Sequence, residues 1–106
     1  MRVRRAKLLA AANRDLLDIF EWIAQQAQDV ATAERFVARL RDRCDEIASL
    51  PGTLGRERED LGPDLRSFAW RSYVIVFRYA AGAIEIIRIL HGMRDLPHAV
   101  PPDSEG

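Results

Sequence analysis

The side chains best suited to chemistry in this sequence are a histidine, two carboxylates and several arginines, all in its second half. Glu57 and Glu59 lie in a charged stretch, Arg66 follows soon after, and His91 ends an apolar run. Histidine titrates near neutral pH, so with a carboxylate it supplies an acid and a base, while arginines neutralise a phosphate. These residue types could bind a phosphate and transfer a proton, and Glu57, Arg66 and His91 are the candidate residues for that chemistry.

A structural role for His91 competes with this chemistry. A single histidine does not provide acid–base catalysis without a second titratable group placed to act with it. Lysines would normally add positive charge around a phosphate, yet Lys7 is the only lysine and lies near the N-terminus. We therefore expect no catalytic site. His91 is instead expected to hydrogen-bond a neighbouring strand or loop and to fix the turn into Met93-Arg94-Asp95.

Composition narrows the class of protein. The 106 residues are 48% hydrophobic, which is enough for a single core without disulfide or metal cross-links. Cys44 is the only cysteine. Sixteen basic residues balance sixteen acidic ones, which argues against a direct nucleic-acid partner. His91 and His98 lack further ligands, so neither a metal nor another cofactor is expected. No apolar run reaches a membrane-spanning length and no signal peptide follows the basic start, so we predict a cytoplasmic protein.

Helical periodicity dominates the first half of the chain. A weak strand pattern covers Arg2 to Leu9, and an amphipathic helix is predicted from Asn13, a possible N-cap, to Gln28. Asp29 is the predicted cap of a second helix that ends before Pro51-Gly52. Its apolar stripe contains Cys44, which we interpret as a core residue rather than a nucleophile. Trp22 and Trp70 are likewise expected to pack.

Strand-forming residues dominate the second half. After a charged loop from Pro51 to Pro63, expected to be anchored by Leu54 and Leu61, three runs are rich in β-branched and aromatic residues. They are Ser67–Trp70, Tyr73–Tyr79 and Ala83–Leu90. Alternation places Tyr73, Ile75, Phe77 and Tyr79 on one face of the middle strand, and Ile84, Ile86, Arg88 and Leu90 on one face of the last. A helical hairpin followed by a small antiparallel sheet is an α+β fold.

Short motifs in a fixed order resemble those of ParE toxins, in the RelE/ParE superfamily of bacterial toxin–antitoxin systems. Asn13 to Ile19 resembles the first helix of that family. The other matching motifs are Leu50-Pro51-Gly52, Gly55-Arg56, Leu61, Leu65-Arg66-Ser67, Tyr73 to Arg78 and Ile86 to Asp95. The resemblance covers residues from about 3 to 96, so we expect one domain over residues 1–96. Residues 97–106, with three prolines, are expected to form a flexible tail.

The resemblance implies a β-α-α-β-β-β toxin with a helical hairpin packed on a mainly antiparallel sheet. It implies inhibition of DNA gyrase by protein–protein contact, and neutralisation by a cognate ParD-like antitoxin in a hetero-oligomer. The RelE branch of the superfamily implies instead a ribosome-dependent mRNA endoribonuclease that uses Glu57, Arg66 and His91. A third possibility is a degenerate member of the family that serves only as an antitoxin-binding partner or a transcriptional co-regulator.

The sheet face opposite the helices is expected to meet the antitoxin. Both faces of the strands carry apolar residues, and such an uncovered surface usually awaits a partner. A homodimer would also cover it. Predicted antitoxin-binding residues are Arg66, Arg78, Arg88 and Tyr73. For Arg66 an alternative is a bridge to Glu85 on a neighbouring strand.

Overall fold

Seven elements follow one another in the part of the chain that the computed structural model describes, residues 5–50 and 55–92. They are strand β1 (Arg5–Leu8), helices α1 (Ala10–Ala27) and α2 (Val30–Ser49), and strands β2 (Arg56–Glu57), β3 (Arg66–Trp70), β4 (Tyr73–Ala80) and β5 (Ala83–His91). This order confirms the α+β fold. The addition is β2, a two-residue strand inside the segment expected to be a loop. Leu54, Arg94-Asp95 and the expected tail at 97–106 lie outside the described residues.

The helical hairpin follows the sequence pattern, apart from its first turn. Asp29 caps α2 as predicted, because its carboxylate accepts hydrogen bonds from the Ala31 amide at 3.3 Å and the Thr32 hydroxyl at 2.6 Å. The predicted cap at Asn13 is wrong, since α1 begins three residues earlier. The Leu9 amide donates to the Ile86 carbonyl oxygen at 3.0 Å, so β1 leads directly into an alanine-rich first turn. Neither described helix is long and apolar enough to cross a membrane.

The five strands form one mixed sheet in the order β1-β5-β4-β3-β2. Strand β1 pairs in parallel with β5, and the remaining pairs are antiparallel. Two-residue turns join β3 to β4 and β4 to β5, which is the shortest connection between antiparallel strands. The chain therefore returns from the helices to build a meander whose last strand lies beside the first.

Helices α1 and α2 cover one face of the sheet and enclose the main core. The predicted face of β4 is confirmed, because Tyr73, Ile75 and Phe77 are buried there and Tyr79 packs beside them. Cys44 is fully buried in the same core, as expected, and burial raises the pKa of its thiol to about 12. Trp70 packs against Phe36, as expected, whereas Trp22 is 47% exposed, so about half of its surface is covered.

A bulge in β5 changes the faces predicted for the last strand. Val76 is opposite Arg88 and Phe77 is opposite Ile86, so Ile87 is the extra residue. Strict alternation fails beyond it: Ile84, Ile86 and Ile89 all belong to the helix-covered core, whereas Leu90 belongs to the second cluster. The sequence alternation alone did not show this shift, because both faces of β5 are apolar.

The opposite face of the sheet carries a smaller apolar cluster. Leu61 from the charged segment is buried against Val76 and Leu90, with Leu65 and Ile87 packed around them. Leu61 therefore anchors the segment, as predicted. The sheet face opposite the helices was predicted to be uncovered. This segment covers part of it, which reduces the exposed apolar area.

Candidate functional site

The segment between β2 and β3, residues 58–65, is an ordered lobe held by charge and backbone bonds. Arg58 donates to both carboxylate oxygens of Asp60, at 2.9 and 2.7 Å, and its backbone amide donates to the Leu65 carbonyl oxygen at 2.8 Å. The hydrogen bond from Arg58 lowers the pKa of Asp60, and the same bond raises the pKa of Arg58. These bonds hold the lobe together, and the Arg58 guanidinium also donates to the Ser67 hydroxyl on β3 at 3.5 Å, beside the predicted candidate residues.

Removing the Leu61 side chain should loosen this lobe. Leu61→Ala is expected to lower the free energy of unfolding by about 2 kcal/mol, the lower end for a buried leucine, because the cluster lies near the surface. Its matched control is Leu17→Ala, since Leu17 is 62% exposed on α1. Thermal unfolding of the two variants measures the difference. Equal melting temperatures would show that Leu61 does not hold the lobe.

Arg66 lies at the start of β3, in a shallow pocket of about 270 Å³. Its guanidinium group donates to the Gly55 carbonyl oxygen at 3.1 Å and lies 3.5 Å from the Glu57 carboxylate. Glu59, Asp64 and Tyr79 also line the pocket. The structure therefore brings Arg66 and Glu57 together, in surroundings that hold more carboxylates than cations.

The other two predicted arginines are each paired with a carboxylate of another element. Arg78 on β4 contacts Glu85 on β5 at 2.5 Å, so the cross-strand partner of Glu85 is Arg78. Arg88 on β5 donates to both oxygens of Asp15 on α1, at 2.8 and 3.0 Å. The Asp15 carboxylate also accepts the Ile89 backbone amide at 2.9 Å. Asp15 thus joins the helix to the strand just beyond the bulge.

His91 and Tyr73 lie at the other end of the sheet from Arg66. Tyr73 is 5% exposed, packed edge-on against Phe36 and against His91, whose ring centroid is 5.4 Å away. Arg66 pairs with Phe77, four positions from the Tyr73–His91 pair, which is ~13 Å along the strands. The three candidate catalytic residues therefore do not converge. Tyr73 occupies the core in this structure.

Two residues with prominent roles were not singled out from the sequence. Asp15 sits in the first turns of α1, where an acid is usually explained by the helix dipole. Arg71, in the turn between β3 and β4, has a φ of +55°, and its guanidinium lies 4.7 Å from the Trp70 ring centroid. The two-residue spacing between the third and fourth strands predicted a turn at Arg71. It did not predict that the Arg71 side chain lies over an aromatic ring.

Solved structures share this architecture. The chain resembles a structure titled "Chromosomal ParDE TA system from P. aeruginosa", with a TM-score of 0.73 and 16% identity, over 84% of this chain and 96% of that one. It also resembles the toxin–antitoxin complex RelBE2 from Mycobacterium tuberculosis, with a TM-score of 0.62 and 18% identity, over 86% of this chain and 93% of that one. Both likenesses show that this chain shares the fold of those structures.

The sequence itself assigns the family. Residues 6–96 match the family described as ParE toxin of type II toxin-antitoxin system, parDE. No curated protein sequence matches the chain. The chain belongs to the ParE toxin family of type II toxin–antitoxin systems.

Proposed function

We propose that this toxin inhibits DNA gyrase by protein–protein contact, in the cytoplasm, and that a cognate ParD-like antitoxin neutralises it in a hetero-oligomer. The observation that carries the proposal is the match to the ParE family over residues 6–96. The similar P. aeruginosa structure is itself a ParDE system. A toxin that acts by contact alone needs complementary surfaces rather than a poised acid and base.

Two physical features support contact over catalysis. Glu57 and Arg66 lie at one end of the sheet and His91 at the other, separated by ~13 Å along the strands. General acid–base catalysis needs both groups within hydrogen-bond reach of the same substrate atoms. In addition, the formal net charge of zero provides no general attraction for an RNA backbone.

The purified toxin should block DNA supercoiling by gyrase. The assay uses relaxed plasmid, gyrase and ATP, with rising toxin concentration, and in parallel a translating ribosome extract with a labelled mRNA. We expect loss of supercoiling with intact mRNA. Adding the antitoxin in equal amount should restore supercoiling. Cut mRNA with unaffected supercoiling would reject the gyrase proposal.

A second candidate function is ribosome-dependent mRNA cleavage, and one observation favours it. The pocket beside Arg66 places Glu57, Glu59 and the Tyr79 phenol around a guanidinium group, which provides proton-transferring groups and a cation in one place. Tyr79 was not among the candidates named from the sequence. The variant Arg66→Ala separates the two functions. If the pocket is catalytic, the wild-type toxin should cut mRNA and the variant should not. If the pocket is not catalytic, neither protein should cut mRNA.

A further inference from the structure

Helix α2, strand β3 and the turn after β3 carry a group of arginines beside aromatic rings. We call it the arginine face and define it by Arg35, Arg39, Arg43, Phe68, Trp70 and Arg71. Arg35, Arg39 and Arg43 are spaced four residues apart on α2, so they lie one helical turn apart in a row. The Arg43 guanidinium lies 5.7 Å from the Phe68 ring centroid, which places this row beside β3.

Arg71 ends the arginine face in a backbone conformation that arginine rarely adopts. Its φ of +55° lies in the left-handed region, which favours glycine and asparagine. Its guanidinium stacks within 4.7 Å of the Trp70 centroid and 5.9 Å of the Phe36 centroid. Stacking favours this position of the exposed guanidinium group, so less of its mobility is lost when it pairs with a ligand.

The arginines of this face differ from Arg66, Arg78 and Arg88 in their charge partners. Across residues 5–50 and 55–92, neither Arg39 nor Arg71 forms a salt bridge, and Arg35 donates only to the Thr32 hydroxyl at 3.3 Å. Arg43 has a partner, Glu46, at 3.6 Å. By contrast, Glu57, Glu85 and Asp15 already neutralise the three arginines that the sequence nominated.

We infer that the arginine face binds an acidic segment of the antitoxin, with carboxylates paired to Arg39 and Arg71 and apolar side chains against Trp70. This inference rests on the proposed function, because it assumes an antitoxin. Arg39 and Arg71, which have no carboxylate partner among the described residues, lie with partly exposed rings and complement an anionic, partly apolar chain. Arginine and tryptophan are also the residues that most often dominate binding energy at protein interfaces.

A peptide fits this surface better than a nucleic acid. Asp42 lies on α2 within one turn of Arg39, and Glu46 lies two turns along, where the two acids would repel a continuous phosphate backbone. A peptide places its carboxylates at separate points and can avoid these acids. The formal net charge of zero agrees with this choice, since non-specific nucleic-acid binding depends on a surplus of positive charge.

Calorimetric titration of the antitoxin into the full-length toxin tests the inference. The double variant Arg39→Glu/Arg71→Glu should weaken binding by about tenfold or more, because two pairs become repulsive. Arg41→Glu is the matched control: Arg41 is exposed on the same helix, two residues from Arg39 but on another side, and should change the Kd by about twofold or less. Arg71→Asn suits the left-handed backbone, so it should keep the melting temperature while weakening binding.

The possible failures are distinguishable. If the wild-type toxin does not bind the antitoxin, the proposed antitoxin and this surface both fail. If the wild-type toxin binds but the double variant keeps its affinity, only the arginine face is rejected. Weakening by Arg66→Glu or Arg78→Glu, without weakening by the double variant, would return the site to the arginines named from the sequence. Loss of RNA oligonucleotide binding, with unchanged antitoxin affinity, would assign the face to nucleic acid and reject the inference.

Discussion

Replacing Asp15 with alanine is expected to lower the free energy of unfolding by about 3 kcal/mol, because three donors share its carboxylate. They are the Nε and Nη2 groups of Arg88 and the Ile89 backbone amide. The Asp15 side chain is only 11% exposed, so water replaces these bonds poorly. Because the Arg88 side chain is 39% exposed, the expected loss is at the lower end for breaking a buried ion pair. Urea unfolding followed by circular dichroism measures it.

Asp18→Ala is the matched control, since Asp18 is an exposed acid one turn further along α1. It should change stability by about 0.5 kcal/mol or less. A double variant adds a second check. Replacing Arg88 in the Asp15→Ala background should cost less than replacing Arg88 in the wild-type protein, because the shared pair is already lost. Equal unfolding midpoints for Asp15→Ala and Asp18→Ala would contradict the role given to Asp15.

Replacing Gly55 with alanine is expected to lower the free energy of unfolding by about 3 kcal/mol. Gly55 has a φ of +79°, where a side chain costs about 1 kcal/mol. A Cβ atom would also lie 2.7 Å from the Ser67 carbonyl oxygen and 3.0 Å from the Phe77 ring. Relieving that overlap would move β2 away from β3, at a further cost of about 2 kcal/mol. Differential scanning calorimetry would record the loss as a lower melting temperature.

Gly82→Ala separates the two causes of this loss. Gly82 has a similar φ of +70°, but no atom lies within 4 Å of the position of an added Cβ. Only the backbone cost of about 1 kcal/mol is therefore expected. If both substitutions lowered stability by the same amount, the contact between Gly55 and the β3 backbone would contribute nothing. The comparison bears on the site as well, because the Gly55 carbonyl oxygen binds Arg66.

The arginines show how pairing decides which residues remain available to a partner. Fifteen of the sixteen basic residues are arginines, so residue type alone does not distinguish one from another. Arg88 is neutralised by Asp15, which is 73 positions away in the chain. Arg71 has an ordinary position between two strands, yet its guanidinium is held over two aromatic rings. A cation without a carboxylate partner among the described residues is more available for pairing with another protein than one that is already neutralised.

Local chemistry accounts for the parts of the fold that were predicted correctly. The 3.6-residue periodicity identified α1 and α2, because each buries one stripe of its surface. Asp29 was recognised as a cap because its short carboxylate reaches amides two or three residues ahead. The faces of β4 were correct because one side carries Tyr73, Ile75 and Phe77 toward the helices.

The errors arose where a distant contact overrides a local pattern. Asn13 is a good capping residue, yet α1 begins at Ala10 because β5 binds the Leu9 amide. The bulge at Ile87 is invisible in a strand that is apolar on both faces, since either register buries similar side chains. Strand β2 consists of charged residues and exists only because β3 supplies partners for its backbone.

The sequence by itself determined the α+β class, the helical hairpin, the strand alternation of β4 and the resemblance to ParE toxins. These features depend on the order and spacing of residue types along the chain. Only the tertiary structure decided which arginines are paired with carboxylates. It also placed Glu57 beside Arg66, placed His91 at the other end of the sheet, and put the Arg71 guanidinium over aromatic rings. Those outcomes depend on distances between residues far apart in the chain, and such distances are set only when the sheet closes and the helices pack on it.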